Sequence, residues 1–321
     1  MSSSEGKEHM KVLVTGGAGF IGSHVCEKLL ESGQEVFILD DLSTGKLSNL
    51  SAIKDKVTFI HSRVEDCDFD SLASINAVIH LAAQASVPLS ISEFYDSSKT
   101  NILSSLKIID FCIKYKLPLV YASSSAIYGE LELGDDESDS IDLLSPYAAD
   151  KFALELYSKV ASVTSGLSSI GLRFFNVYGP RQDPLNPYSG VISIFIEKLL
   201  SNQDIIVNGG SQTRDFVYVT NVADVISQAV HVTSSKKISD FVNVLTGKSV
   251  SIDSLADNLI EIIESSSEKI YHELPVGDPM ESNGTIAKLP RVLNMIPSDF
   301  ISLQKGLKLT VNDMRNRSSN S

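Results

Sequence analysis

Apolar residues come in short unbroken runs along this chain. "KVLVTG" (11–16), "EVFILDD" (35–41), "VTFIH" (57–61), "AVIHLAA" (77–83), "LPLVYASSS" (117–125) and "SSIGLRFFNVYG" (168–179) each read as a strand. Runs without polar alternation belong to strands covered on both faces. Between them lie stretches of helical texture: "GSHVCEKLLESG" (22–33), closed by Gly33, and segments around 95–115 and 146–165. Strand and helix in alternation predict an α/β fold, a doubly wound parallel sheet wrapped by helices. After about residue 180 the texture changes. "PRQDPLNPYSG" (180–190) reads as a loop, and the shorter elements after it, such as "VISIFIEKLL" (191–200) and "IIVNGG" (205–210), read as a smaller C-terminal α/β lobe. The expected division is a sheet domain over 10–180 and a lobe over 181–308, part of which returns to the sheet. Residues 1–9 and 309–321 are polar and are expected to be flexible, with Met10 a candidate start.

The bulk numbers narrow the class. The chain has 321 residues and a formal net charge of −13. A chain so acidic binds nucleic acid and anionic membrane poorly, so neither is expected as a partner. An anionic ligand then needs locally concentrated cations. No apolar run reaches the roughly 20 residues of a membrane helix. Cys26, Cys67 and Cys112 show neither disulfide nor metal spacing, which suits a reducing cytoplasm. No metal is expected. "ELGDDESDS" (132–140) reads as a solvated surface loop.

Residues 15–22 read "TGGAGFIG". Gly16, Gly19 and Gly22 close a strand and open a helix. Such glycines allow a tight turn, backbone approach to a pyrophosphate at a helix N-terminus, and close packing of helix on strand. Steric need alone can also put glycines there, but Asp40 ends the next strand 18 residues after Gly22. An acid at that place accepts from ribose hydroxyls and repels a 2′-phosphate, favouring NAD over NADP. Farther on, "YAADK" puts Tyr147 and Lys151 four residues apart, on one helix face. They are either a surface pair or a phenol whose proton a neighbouring cation helps remove.

The glycine loop, "YASSSAIYG" and "YAADK", in that order, resemble the extended short-chain dehydrogenase/reductases over about residues 11–308. The resemblance implies a Rossmann-type sheet, NAD as cofactor, and Ser124, Tyr147 and Lys151 as catalytic residues. It makes Ser125 the reserve serine and Ser123 structural. It also implies a wider cofactor contact set. Phe20 and Ile21 belong to it with the glycines, and Asp41, Ser43, Thr44 and Gly45 with Asp40. Val64, Leu81, Ala82, Ala83 and Gln84 follow, then Asn101 and Phe174.

"RFFNVYGPRQDP" (173–184) and "GGSQTRDFVYVTNVAD" (209–224) look like the nucleotide-sugar branch, in which Asn176 and Arg214 would meet a substrate diphosphate. Ser86, Ser124, Ser125, Tyr147, Val191 and Val207 complete the implied substrate contacts. Relatives that eliminate water or decarboxylate carry a carboxylate beside the active hydroxyl. Here Ser125 and Ala126 stand there, so oxidation and re-reduction at C4 remain, the chemistry of a 4-epimerase working through a 4-keto sugar. Four residues past the Gly277–Asp278 pair lies Ser282, a small residue where a bulky one would exclude a 2-acetamido group. The implied substrates are UDP-GlcNAc and UDP-GalNAc, with UDP-Glc and UDP-Gal accepted. A UDP-glucuronate 4-epimerase would need a cationic cluster that is not identified, and Glu281 argues against it. A non-catalytic NAD-binding sensor would be expected to have lost part of the Tyr/Lys pair. Two departures from the family pattern are Pro275, where a diphosphate-binding arginine is usual, leaving Arg181 as a substitute, and Arg63, where an adenine-contacting acid is usual. By the same resemblance the helices near 95–115 and 146–165 would pair with a second copy as a four-helix bundle, making a homodimer.

Overall fold

The buried runs form one seven-stranded sheet in a computed structural model that describes residues 9–184, 190–274 and 279–318. The chain order of its first half is β1 (Lys11–Thr15), α1 (Phe20–Glu31), β2 (Glu35–Asp40), β3 (Val57–His61), β4 (Ala77–His80), α2 (Val87–Ser92), α3 (Phe94–Tyr115), β5 (Leu119–Ser124), α4 (Pro146–Ser165) and β6 (Ser169–Phe174). There follow β7 (Asn176–Tyr178), α5 (Val191–Leu200), β8 (Ile205–Asn208), β9 (Thr213–Tyr218), α6 (Val219–Ser235) and β10 (Ser239–Val244). The last are β11 (Ser249–Ser251), α7 (Ile252–Ile263), β12 (Lys269–His272), β13 (Glu281–Ser282), α8 (Lys288–Leu293) and α9 (Leu303–Ser318).

The sheet order is β10-β6-β5-β4-β1-β2-β3, with every pairing parallel. Alternate residues of each strand feed opposite faces. Val12, Val14, Val36 and Ile38 pack with α1 and α6 on one side. Leu13, Leu39, Val78 and Leu119 pack with α3 and α4 on the other. Strand order reverses between β1 and β4, which opens a crevice at their C-terminal ends.

The stretch 168–179, expected as one strand, is two. β6 stays in the main sheet, whereas β7 pairs in parallel with β9 in a separate sheet. Between them Phe175 turns into a small cluster with Ile127, Tyr128 and Leu245. A third apolar cluster unites β7 to β9 with α5, α7 and α9 through Tyr178, Phe195, Val207 and Leu255. α6 and β10 meanwhile return to the main sheet.

The expectation of a flexible tail after residue 308 is corrected here. α9 runs on to Ser318, and Leu307, Val311 and Met314 bury against α5 and α7. Their i, i+4, i+7 spacing makes one apolar stripe inside a polar sequence. Leu307→Ala should therefore cost about 2–5 kcal/mol, measured by denaturant unfolding, while Lys308→Ala on the exposed face should stay within about 0.5 kcal/mol. Equal effects would mean that the helix is not packed as described.

Candidate functional site

The crevice begins where β1 ends. Gly16 has φ +71°, and a Cβ on it would lie 2.8 Å from Ala82 N. Thr15 ties the two strand ends together, because the N–H groups of Leu81 and Ala82 both donate to its Oγ1 at 3.2 Å. Gly22 has no room for a side chain, since a Cβ would strike Gly16 O and sit 2.8 Å from Gly17 Cα. Gly19 is the N-cap of α1 and offers no side-chain cap, so the first N–H groups of the helix have no side-chain acceptor there. Phe20 and Ile21 follow it, both half-buried.

Asp40 is buried at the end of β2. Its carboxylate accepts from Ala18 N and Leu42 N, at 2.9 Å each. It thus holds the glycine loop as well as its own turn, and burial raises its pKa. Asp41 closes the next turn by accepting from Ser43, while Ser43 and Thr44 are exposed. Gly45 packs against Asp40 and Ala18. Val64 is buried, and 81–84 form the half-exposed loop after β4. Asn101 grips that loop from α3: Gln84 N donates to its Oδ1 at 2.8 Å, and its Nδ2 donates to Gln84 O at 3.1 Å. Phe174 is buried at the end of β6.

Across the crevice stand Ser124, Tyr147 and Lys151. Ser124 ends β5, and its hydroxyl accepts from Ala126 N at 3.1 Å. α4 starts with Ser145 as N-cap and Pro146 in its first turn, which places Tyr147 and Lys151 on successive turns. The Ser124 hydroxyl lies on the same side of the crevice as the Tyr147 phenol and acts to lower its pKa. Lys151 Nζ lies 5.7 Å from the centre of the Tyr147 ring and donates to Ala122 O at 2.9 Å. Burial brings the Lys151 pKa down to about 8, opposed by the Asp150 carboxylate. The expected lowering of the Tyr147 pKa is corrected for the protein's own groups. Burial dominates and raises it, the nearby Ser124 hydroxyl works downward, and Asp150 works upward.

Sequence reasoning missed Asp150. It is buried and accepts from Asn101 Nδ2 at 3.0 Å, joining α4 to the loop after β4. Only its position between tyrosine and lysine hinted at this, and an acid there can equally face solvent.

A cleft of about 280 Å³ lies in the smaller lobe, with Asn176, Gln182, Val191, Ile206, Asn208 and Arg214 among its walls. Asn176 and Arg214 are thus brought together, as is Val191 at the start of α5. Val207 is a correction. It is fully buried in the lobe core, and the alternation of β8 turns Ile206 and Asn208 to the cleft instead. The "IIVN" pattern carried that signal, read with period two. Arg214 donates to Thr213 O at 2.8 Å, and Asn176 Nδ2 donates to Asp215 O at 3.0 Å. Asp215 itself turns away to accept from Thr246 and Lys248, at 2.8 and 2.9 Å. Ser282 faces Arg214 across the β9–β13 pair, at the edge of the cleft and not among its walls. Ser86 caps α2, accepting from Leu89 N at 3.1 Å, and Ser125 opens the turn after Ser124. Arg181 does not replace the missing diphosphate cation, because it pairs with Glu27 of α1 at 2.5 Å. Arg63 is exposed and lies 3.3 Å from Glu65. Pro275, Gly277 and Asp278 lie outside the described residues. Among the described residues, no cluster of three or more histidines, cysteines and acids could hold a metal ion, and no helix is long and apolar enough to cross a membrane.

Residues 12–244 match the family described as NAD dependent epimerase/dehydratase. The chain belongs to that family. A relative from Methanocaldococcus jannaschii, provisionally named a UDP-glucose 4-epimerase, is 39% identical, covering 95% of this chain and 98% of its own. The structure of UDP-N-acetylglucosamine 4-epimerase from Methanobrevibacter ruminantium M1 in complex with UDP-N-acetylmuramic acid superposes with a TM-score of 0.91 at 34% identity, covering 97% of this chain and all of that one (100%). UDP-glucose 4-epimerase from Thermus thermophilus in complex with NAD gives a TM-score of 0.82 at 34% identity, covering 95% and 99%.

The protein is thus an NAD-dependent enzyme, and its residues fit the cofactor. The glycines clear backbone space that a Cβ would fill, and an acid ends β2. Gly22→Ala must push its methyl into backbone, so bound NAD, read by release on denaturation, should fall at least about tenfold, a loss of roughly 1.4 kcal/mol. Asp150→Asn removes a carboxylate that raises the Tyr147 and Lys151 pKa values. Both should fall, and the acidic limb of the kcat/KM profile should move to lower pH. An unmoved limb would show that Asp150 does not couple to the base.

Proposed function

We propose that this enzyme interconverts the C4 epimers of a UDP-sugar through a 4-keto sugar, with UDP-GlcNAc and UDP-GalNAc preferred and UDP-Glc and UDP-Gal accepted. The observation that carries this is the gathering of Ser124, Tyr147 and Lys151 at the crevice, with Lys151 Nζ 5.7 Å from the centre of the Tyr147 ring, beside Ala126, where an acid would be needed for elimination.

When bound, NAD supplies the acceptor and donor of the C4 hydride. Gly16, Gly19, Gly22 and Asp40 would hold it, with the turn at 43–45 and the loop at 81–84 along its sides. Tyr147, acting in its ionised form, takes the proton of the 4-hydroxyl through its Oη as the oxygen loses it, and gives the proton back when the hydride returns to C4. Ser124 hydrogen-bonds the same oxygen and steadies the developing charge. Lys151 supplies positive charge below the ring and, with a pKa of about 8, remains largely protonated at neutral pH. Arg214 and Asn176 anchor the diphosphate, so the keto sugar can swing on that link and present its other face. The small Ser282 at the edge of the cleft leaves space for a 2-acetamido group.

Leu156, Val160 and Val163 on α4 and Leu103 on α3 are exposed apolar residues. The first three fall at i, i+4 and i+7, a continuous stripe. They support a homodimer through paired α3 and α4 helices. Three free, buried cysteines suit a cytoplasmic enzyme.

Purified enzyme incubated with UDP-GlcNAc should yield UDP-GalNAc, resolved by chromatography or NMR. Turnover of UDP-Glc alone would overturn the acetamido reading and leave the epimerase chemistry standing. Tyr147→Phe should lower kcat by roughly 10²–10⁴ with NAD still bound, which would exclude a purely sensing role. Val160→Asp should shift the mass measured by light scattering from dimer to monomer.

A further inference from the structure

One ion pair outside the reacting groups touches both ends of the turn that carries Ser124. Glu155 and Arg173 are buried, on α4 and β6. The pair is bidentate: Arg173 Nε donates to Glu155 Oε1 at 2.9 Å and Nη2 to Oε2 at 2.6 Å. Glu155 Oε1 also accepts from Ser123 Oγ at 2.5 Å. Arg173 Nη1 donates to Tyr128 Oη at 2.7 Å, and Tyr128 Oη donates to Asn243 Oδ1 at 2.8 Å. The guanidinium stacks on Phe241, 3.7 Å from the ring centre.

The connectivity matters more than the strength. Ser123 precedes Ser124, and Tyr128 ends the turn that Ser124 begins. Both are fastened to one planar fork. The acid in that fork stands one helical turn beyond Lys151 and two beyond Tyr147, all at intervals of four on α4. The serine turn and the tyrosine helix therefore share a rigid joint. A buried ion pair is a poor source of stability, because apolar residues of similar volume usually do as well. An Arg–carboxylate fork does fix geometry in a way apolar packing does not.

We propose that Glu155 and Arg173 are positioning residues that set the Ser124 hydroxyl against the Tyr147 phenol by clasping Ser123 and Tyr128. The inference rests on the epimerase reading for its kinetic test and on geometry alone for its structural one.

Either single substitution strands a buried charge and tests mainly folding. The informative variant removes both charges at similar volume, Glu155→Leu with Arg173→Met, measured as holoenzyme. Expected are a cooperative melt, retained NAD, an unchanged KM for the UDP-sugar and a kcat lower by about 10–100-fold, the scale of an ångström's misplacement. Wild-type kcat in the folded double variant would overturn the proposal and leave the pair a plain structural contact. If the double variant does not fold, Ser123→Ala with Tyr128→Phe cuts the clasps and leaves the pair intact. The same split of kcat from KM is expected there, and an unchanged kcat overturns the proposal. If the unaltered enzyme turns over no UDP-sugar, the substrate reading fails separately. A crystal structure of the folded charge-free variant, or of the clasp variant in its place, then decides the inference: Ser124 displaced from Tyr147 supports it, and Ser124 unmoved refutes it.

Discussion

The close approach of the first strand's end to the loop after β4 governs the rest of this enzyme. Gly16 can meet Ala82 only because it lacks a Cβ and takes a positive φ, and Thr15 fastens the contact through Leu81 and Ala82. From that point a continuous hydrogen-bonded path crosses the crevice. The loop reaches Gln84, Gln84 is gripped by Asn101, and Asn101 donates to Asp150 on the helix of Tyr147 and Lys151. The glycine turn and α4 are thus located against each other by polar contacts within a few ångströms, not by the sheet alone. Preorganisation of this kind is what a proton transfer between fixed groups requires.

Burial then sets the chemistry. Lys151 is buried with a carboxylate one residue away, and the two effects oppose each other, leaving an ammonium with a pKa of about 8. His80, under the same strands, is driven to a pKa of about 3 by burial and by Lys151, so it stays neutral and serves Thr15 and Ser105 as a hydrogen-bonding bridge. One of the two buried bases therefore keeps its charge near neutrality and the other does not. Arg214, Arg173 and Lys151 are all buried, each at a place with a geometric task.

Local signals made much of this legible in the sequence. The glycine spacing, the apolar runs and the Tyr147–Lys151 interval each depend on a few neighbouring residues, and each sits where the pattern put it. The misreadings came from information that is not local. Nothing near Phe175 announces that the strand changes sheets there, because the cause is a pocket made by Ile127, Tyr128 and Leu245. α9 looks too polar to pack, yet three apolar residues on one stripe suffice once α5 and α7 supply the other wall. Arg181 read as a spare cation, and its partner Glu27 lies 154 residues away. Asp150, Glu155 and Arg173 are ordinary charged residues in sequence, and only the fold shows what they hold.

The break at Phe175 also bears on how the two halves of the site work together. Phe174 ends β6 of the main sheet, and Asn176 opens β7, which lines the cleft, so a single residue separates them. Asn176 is then held by the carbonyl of Asp215, whose carboxylate accepts from the segment just after β10, a strand of the main sheet. Covalent chain and buried carboxylate tether the same cleft wall to the same sheet. A cleft so tethered keeps Asn176 and Arg214 at a fixed remove from Tyr147. In the proposed reaction, the freedom needed to present both faces of the keto sugar then lies in the substrate's own link, where rotation is cheap, and not in the protein.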